Sequence, residues 1–399
     1  MTWQRAKLKF IARFGYGGAL PTDEAQEGPY RVFGSNGPYA SFSRPNTGTP
    51  AIIVGRKGSY GKVNWTPKPC FASDTTFFID SSMTRHDLRW VYWLLQTLRL
   101  DEGTDETAVP GLSRESAYDK KVIYPPHKLQ HAIAAYLDRE TARLDGLVAA
   151  KERVLGLVVE KRRTLITRAV ARGLDPYAPL RDSGIPWLGE IPAHWAATRL
   201  KFVAEVQGGL TLGKNYGAAT LVEYPYLRVA NVQDGYLDLS DVATILVPES
   251  EAESCLLVAG DVLMNEGGDA DKLGRGCIWT GEIAPCLHQN HVFAVRPRLV
   301  RSEWLNAWTS TEVAKAFFES RAKQSTNLAS ISATNIKELP IPVPPTDEQS
   351  TIVDHITAET AKLDALRAVT ERTIALLKER RTALIAAAVT GRLHIPEAA

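Results

Sequence analysis

The stretch Glu140-Thr141-Ala142-Arg143-Leu144-Asp145 returns later in the chain as Glu359-Thr360-Ala361-Lys362-Leu363-Asp364. The match widens in both directions at a constant offset of 219 residues, without a gap. Gln130 and Ile133 become Gln349 and Ile352; Glu152-Arg153 becomes Glu371-Arg372; Leu165-Ile166 becomes Leu384-Ile385; Ala169-Val170 becomes Ala388-Val389. Pro125-Pro126 and Pro344-Pro345 precede both copies in register. No proline interrupts 128–174 or 346–394, so each copy reads as one long helix. About 45 residues at a rise of about 1.5 Å make a rod of about 65 Å. Heptad-like apolar positions mark a stripe: Leu144, Leu147, Val154, Val158 and Leu165 in the first copy, and Leu363, Leu366, Ile374, Leu377 and Leu384 in the second. Such a stripe needs a partner helix, and the other copy is the partner at highest effective concentration. The two rods must run antiparallel if the segments between them are to sit at opposite ends. Near-identical rods imply pseudo-two-fold symmetry, so a symmetric partner could dock twice. Thr346 with Gln349 fits a capping box at the start of the second rod. The basic runs Lys161-Arg162-Arg163, Arg168, Arg172 and Lys378, Arg380, Arg381 fit either a solvated helix end or a phosphate-facing role.

Between the rods lie two variable regions. Trp3 … Leu8-Lys9-Phe10 recurs as Trp195 … Leu200-Lys201-Phe202, and Cys70 … Phe77 recurs more loosely as Cys286 … Phe293. Short β-type runs, Ala51–Val54, Lys62–Trp65 and Thr75–Ile79, precede a helical Trp90–Leu95. The second region repeats the plan with Tyr226–Val229, Ala243–Val247, Asp261–Met264, Cys277–Trp279 and His291–Val295, then a helix over Trp304–Glu319. The expected fold is α+β: two α/β modules and two long antiparallel coiled-coil helices. The boundaries are 1–126 for the first module, 127–174 for the first rod, 175–345 for the second module with its linker, and 346–399 for the second rod.

The chain has 399 residues, 44% hydrophobic and 23% charged, which is enough for a real core and excludes a disordered chain. No apolar run approaches the roughly 18 residues of a membrane span. The opening residues lack an apolar signal core, so a cytoplasmic chain with four free cysteines is expected. A net charge of +2 means that any case for nucleic acid must rest on local charge. The loops supply that case. Ser35, Asn36, Arg56, Lys57, Ser59, Tyr60 and Lys62 in the first module combine small residues with side chains suited to guanine, adenine or phosphate. Lys214, Asn215, Tyr216, Arg228, Asn231, Gln233, Arg275, Lys323, Ser325 and Asn327 are the comparable set in the second. A turn or capping role competes for each of them.

Chemistry-bearing motifs are lacking. Gly208–Asn215 approaches a phosphate-binding loop, but Asn215 stands where Ser or Thr must hold magnesium. Cys277, Cys286, His288 and His291 lack zinc-ligand spacing. We find no base-amination motif, no Gly-rich cofactor fingerprint and no nucleophile elbow. No catalytic residue and no metal site is expected in this chain.

Asp182-Ser183-Gly184-Ile185-Pro186-Trp187-Leu188-Gly189-Glu190-Ile191-Pro192-Ala193-His194-Trp195 resembles the approach to the second target-recognition domain in the specificity subunits of type I restriction–modification systems. Leu339–Pro345 with Glu348-Gln349, the repeats ending in Arg162–Ile166 and Arg381–Ile385, Gly55–Ser59, His288–His291 and Tyr226–Val232 are similar to that family too. The first module differs, since it begins at Trp3 without an equivalent of Ile185–Ala193. The resemblance implies two target-recognition domains that read the halves of a bipartite, asymmetric double-stranded DNA sequence. It implies a coiled coil that sets the gap between half-sites. It also implies two docked modification (methyltransferase) subunits, restriction subunits with translocase activity, and no catalysis in this chain. S-adenosylmethionine, ATP and Mg would belong to the partner subunits. The competing readings are a stand-alone methyltransferase or nuclease, and a coiled-coil scaffold with no DNA role.

Overall fold

The computed structural model describes residues 3–21, 28–102, 111–268, 273–324 and 329–395. In chain order the first part carries β1 (Gln4–Lys7), β2 (Gly15–Tyr16), β3 (Tyr30–Gly34), β4 (Gly37–Phe42), β5 (Ala51–Gly55), β6 (Val63–Thr66), β7 (Phe71–Ala72), β8 (Thr76–Asp80), α1 (Leu88–Leu95), α2 (Arg114–Asp119) and β9 (Lys121–Tyr124), followed by α3 (His127–Arg172). The second part carries β10 (Leu180–Asp182), β11 (Glu190–Pro192), β12 (Ala196–Arg199), β13 (Ala204–Gln207), β14 (Val222–Leu227), β15 (Ala243–Val247), α4 (Glu249–Glu253), β16 (Val262–Asn265), β17 (Gly267–Gly268), β18 (Gly276–Ile278), β19 (Leu287–His288) and β20 (Val292–Pro297). It continues with α5 (Ser302–Thr309), α6 (Glu312–Arg321), β21 (Lys323–Gln324), β22 (Ala329–Ser330), α7 (Ala333–Lys337), β23 (Pro340–Val343) and α8 (Thr346–Val389). The fold is α+β, as expected, with two mixed heads and two long helices.

Two compact units form, 1–153 with 370–399 and 154–369. Each therefore takes one head and about half of each long helix. In the first unit the head is a four-stranded sheet, β2-β8-β5-β6, beside a three-stranded one, β4-β3-β7. In the second the same plan reads β13-β20-β16-β18 and β15-β14-β19. Both small sheets contain one parallel pair, β3 with β7 and β14 with β19. In both heads the strand after the Trp, β1 or β12, pairs antiparallel with the strand before the rod, β9 or β23. Head 2 adds a ribbon, β17-β22-β21.

Within the first unit Asp145 accepts from Arg381 at 2.9 Å and Glu152 from Lys378 at 3.5 Å. Advancing on α3 means retreating on α8, so the helices are antiparallel there. Within the second unit Arg162 donates to Asp364 at 2.7 Å. That pair is the Arg381–Asp145 pair displaced by 219 residues. Arg163 and Arg172 also pair, with Glu312 and Glu190. Several cations of the basic runs thus face carboxylates; as exposed pairs they each contribute about 0–1 kcal/mol and mainly favour one register.

The seam corrects one part of the expected stripe. Burial follows Leu137, Thr141, Leu144, Val148, Leu155 and Val158 on α3, and Ile356, Thr360, Leu363, Thr370 and Ile374 on α8. Leu147 and Leu366 are 44% and 46% exposed. The reason is geometric. A heptad seam alternates steps of three and four, and the step from Thr141 to Leu144 is three. The next must be four, which selects Val148 and leaves Leu147 turned out. Val154, Leu165, Leu377 and Leu384 are half-buried, and Leu144, Val158, Leu363 and Ile374 are buried.

Gln349 is not the capping residue its spacing suggests. Its side chain is 1% exposed; it accepts from Arg301 N at 2.9 Å and donates to Pro344 O at 3.0 Å. Gln130 does the same in the other unit, with Asp87 N at 2.9 Å and Pro125 O at 2.8 Å. Asp87 and Arg301 are the N-cap residues of α1 and α5, so one buried amide ties each head helix to the first turn of its rod. Gln349→Ala leaves a buried N–H and a buried carbonyl without partners and is expected to cost about 2–4 kcal/mol. Thermal denaturation of the variant against Thr351→Ala, an exposed neighbour, measures it.

Glycines end both rods with φ of +74° (Gly173) and +72° (Gly391). A Cβ would lie 3.3 Å from the Trp195 ring at the first and 2.6 Å from the Trp3 ring at the second. Leu393 and Ile395 pack into the core of the first head, so the end of α8 closes on that head. The helix expected over Trp304–Glu319 is two helices. Buried Thr311 caps α6 by accepting from Ala314 N, and the chain turns there.

Candidate nucleic-acid interface

In head 1 the site forms where the central strand β5 ends. Gly55 N donates to Lys62 O and Gly61 N to Gly55 O, which folds 55–62 into a tight loop. A Cβ on Gly55 would meet Ser59 O at 2.4 Å, and Gly61, at φ +78°, leaves a side chain no room against Asp101 N. The loop therefore depends on glycine at those points. Arg56 N donates to Thr75 O, bringing in the β7–β8 turn. Lys62 Nζ donates to Asn36 Oδ1 at 2.7 Å and to Asn36 O at 3.2 Å, bringing in the β3–β4 turn. Three loops distant in sequence thus meet at one end of the sheet.

The aromatic floor there was not legible in the sequence. The Arg56 guanidinium lies 5.1 Å from the Tyr16 ring centroid and 5.7 Å from that of Phe77. Arg114 lies 4.9 Å from the same Tyr16 ring. Tyr16 is 48% exposed, so two guanidinium groups flank a solvent-facing aromatic. Tyr16 and Arg114 belong to unrelated sequence segments, and only the pairing of β2 with β8 brings Tyr16 beside Arg56. Arg56 also donates to Asp74 O at 3.2 Å, whereas Lys57 and Ser59 project into solvent and Tyr60 is half-buried. Ser35 is a correction: it is 7% exposed, and its hydroxyl donates to Thr75 O at 2.6 Å, so it holds the loops together and is not placed to read a base.

In head 2 the corresponding end is that of β16. Asn265 N donates to Arg275 O, as Gly55 N does to Lys62 O, so Arg275 and Lys62 occupy one structural position. The 228–236 segment reaches the same end, through Gly235 N to Gly276 O and Asn265 Nδ2 to Val232 O. Asn231 is the second correction. It is 2% exposed; its amide donates to Asp238 O and Asp241 O, and its carbonyl accepts from Arg228 N. Both of its amide hydrogens and its carbonyl oxygen are engaged within the turn. Arg228 donates to Asp241 at 2.8 Å, Gln233 to Ala230 O at 2.8 Å, and Lys214 to Glu251 at 3.2 Å. Asn215 accepts from Gly217 N at 2.9 Å, and Tyr216 packs beside the β14–β15 hairpin. Lys323 is exposed on the ribbon that pairs with Gly267–Gly268, while Ser325 and Asn327 lie outside the described residues.

All four cysteines are free and buried. Burial pushes Cys277 up to about 12 and Cys286 up to about 11, far above where a thiolate forms at neutral pH. His288 is buried with Nδ1 2.6 Å from Val292 O, and burial lowers its pKa. Among the described residues no group of three or more His, Cys, Asp or Glu side chains could hold a metal ion. None of their helices is long and apolar enough to cross a membrane.

The family model described as the type I restriction modification DNA specificity domain matches residues 192–374. The specificity subunit of the EcoKI enzyme of Escherichia coli is 24% identical over 278 residues, which is 67% of this chain and 57% of that protein. A Methanocaldococcus jannaschii protein bearing the name of the MjaX specificity subunit is 28% identical over 169 residues, 41% of this chain and 39% of the relative. The matches thus span about two-fifths to under three-fifths of these relatives. A chain from structural work on the assembly and conformational transition of a type I R-M system superposes with a TM-score of 0.72 at 16% identity, covering 98% of both chains. The HsdS subunit of Thermoanaerobacter tengcongensis gives 0.55 at 16% identity over 98% and 97%. At such identity the structures establish the shared two-headed, two-rod fold. The matched domain, which spans under half of the chain, and these relatives make the chain similar to type I restriction–modification specificity subunits.

Proposed function

We propose that the chain is the DNA-reading subunit of a type I restriction–modification complex. Each head would read one half of a bipartite double-stranded target. Two modification subunits, using S-adenosylmethionine, and restriction subunits, using ATP and Mg, would supply the chemistry in the cytoplasm. The chain itself would be non-catalytic. One observation carries this reading: two heads of the same topology each gather polar and cationic loops at the end of their central strand, beside a duplicated helix pair. Phosphate contacts from such loops position the duplex, and base contacts specify it.

Duplication also supports a partner present in two copies. Phe10 and Phe202 are 70% and 62% exposed at equivalent positions, each beside a lysine. Both stand beyond the opposite end of their sheets from the reading loops, since β2 and β13 run from the aromatic toward those loops. In the second unit a groove of about 670 Å³ along α3, lined by Leu157, Lys161, Leu165, Arg168 and His355, is a further docking surface for such a partner.

The test is DNA binding by the chain with its cognate modification subunit across a salt series. Lys57→Ala is expected to flatten the slope of log affinity against log salt by about 1 and to weaken the footprint on one half-site only. Equal weakening of both halves would assign Lys57 to something other than head 1 reading, and salt-independent binding would sink the proposal.

A further inference from the structure

The residue that follows the central strand differs in kind between the heads. In head 1 it is Arg56, whose N donates to Thr75 O and whose carbonyl accepts from Leu112 N, both at 2.8 Å. In head 2 it is Glu266, whose N donates to His291 O at 2.8 Å and whose carbonyl accepts from Ile331 N at 2.9 Å. The strand registers agree: Gly55 faces Thr76 on β8, and Asn265 faces Val292 on β20. The same backbone position thus carries a guanidinium in one head and a carboxylate in the other.

Glu266 Oε2 lies 2.5 Å from His291 Nδ1, and the two side chains are 26% and 54% exposed. The contact ties the carboxylate to His291 at the end of the central strand, next to Gly267 of the ribbon that carries Lys323. A negative charge there opposes phosphate binding. What it offers is a partly exposed hydrogen-bond acceptor. In the major groove the cytosine N4 amino group is a donor with no neighbouring acceptor on its own base. The adenine amino group sits beside N7, whose lone pair repels a carboxylate.

We infer that Glu266, held in place by His291, reads a cytosine in the half-site of head 2 by accepting a hydrogen bond from its N4 amino group. Arg56, at the matching position of head 1, instead seeks acceptors. The inference rests on the reading of the heads as DNA readers, and it explains how one scaffold yields two unlike specificities.

The experiment presents the full chain, with its cognate modification subunit, with duplex DNA randomised across both half-sites, and sequences the bound fraction. The wild type is expected to select cytosine at one position of one half-site. Glu266→Gln should lower that preference roughly tenfold or more and shift it toward adenine, which an amide can pair with, while every other position keeps its base. Glu266→Ala should lose the cytosine without gaining adenine, with an unchanged circular dichroism spectrum. If Glu266→Gln only tightens binding to all sequences, with the same selected bases, the inference is wrong and the DNA-reading function stands. If the wild type selects no sequence at either half, the function itself fails.

Discussion

Moving the two half-sites of the DNA target apart by one base pair is expected to lower affinity about 100-fold. The expectation follows from tethering. Once one head is bound, the second binds at an effective concentration set by what joins them, and losing simultaneous engagement forfeits a factor of about 10² to 10⁴. One added base pair moves the second half-site by about 3.4 Å along the duplex and about 35° around it. A flexible tether would absorb that change. The chain joins its heads through α3, an unbroken helix of 46 residues and about 69 Å, and α8, of 44 residues. Within each unit the two helices pack through buried seam residues, Leu137, Thr141 and Leu144 with Thr370 and Ile374 in one, Val158 with Ile356, Thr360 and Leu363 in the other. Competition binding with spacers one base pair shorter, native and one longer measures the effect. Equal affinity for all three would mean that the heads act independently, and the idea of a fixed span would be lost.

Asp261→Asn is expected to destabilise head 2 by about 3 kcal/mol, toward the lower end of what breaking a buried ion pair costs because Arg296 is partly solvated. Asp261 immediately precedes β16, and its side chain is 1% exposed. One oxygen accepts from Arg296 Nε at 2.8 Å; the other accepts from Arg296 Nη2 at 2.9 Å and from Val258 N at 2.8 Å. The guanidinium also donates to Leu256 O, so the pair joins the central strand, its neighbour β20 and the 256–258 turn. An amide oxygen can keep at most two of these three bonds, and it does not restore the charge. It leaves a half-buried cation facing an uncharged group. For a unit of this size the loss corresponds to a fall of about 6–12 °C in Tm. Head 1 carries Ala51 at the equivalent position, so its half-site footprint is expected to survive. Calorimetry paired with footprinting tests both parts. An unchanged Tm would show that hydrophobic packing around Met264 and Val295 alone holds the strand.

The architecture was legible because its signals are local and periodic. A proline-free segment of about 45 residues repeated at an offset of 219, a heptad-like stripe and paired proline runs require two rods whatever surrounds them. Leu8 and Leu200 are each 0% exposed in the same short turn, and the Leu-Lys-Phe repeat announced that correspondence. Tertiary structure alone decided which face of each rod is covered. Leu147 and Val148 are equally apolar, and only packing against the other helix distinguishes them. The site divides in the same way. Residue type marked Lys57, Lys62 and Arg275, because cations near glycine-rich turns are visible one segment at a time. Ser35 and Asn231 have equally suitable chemistry, yet their hydrogen bonds go to loops that meet them only after folding. Tyr16, Arg114 and the Glu266–His291 pair were silent for the same reason. Their significance comes from strand pairing between distant segments, and the order of residues along the chain does not encode which loops converge at a sheet's end.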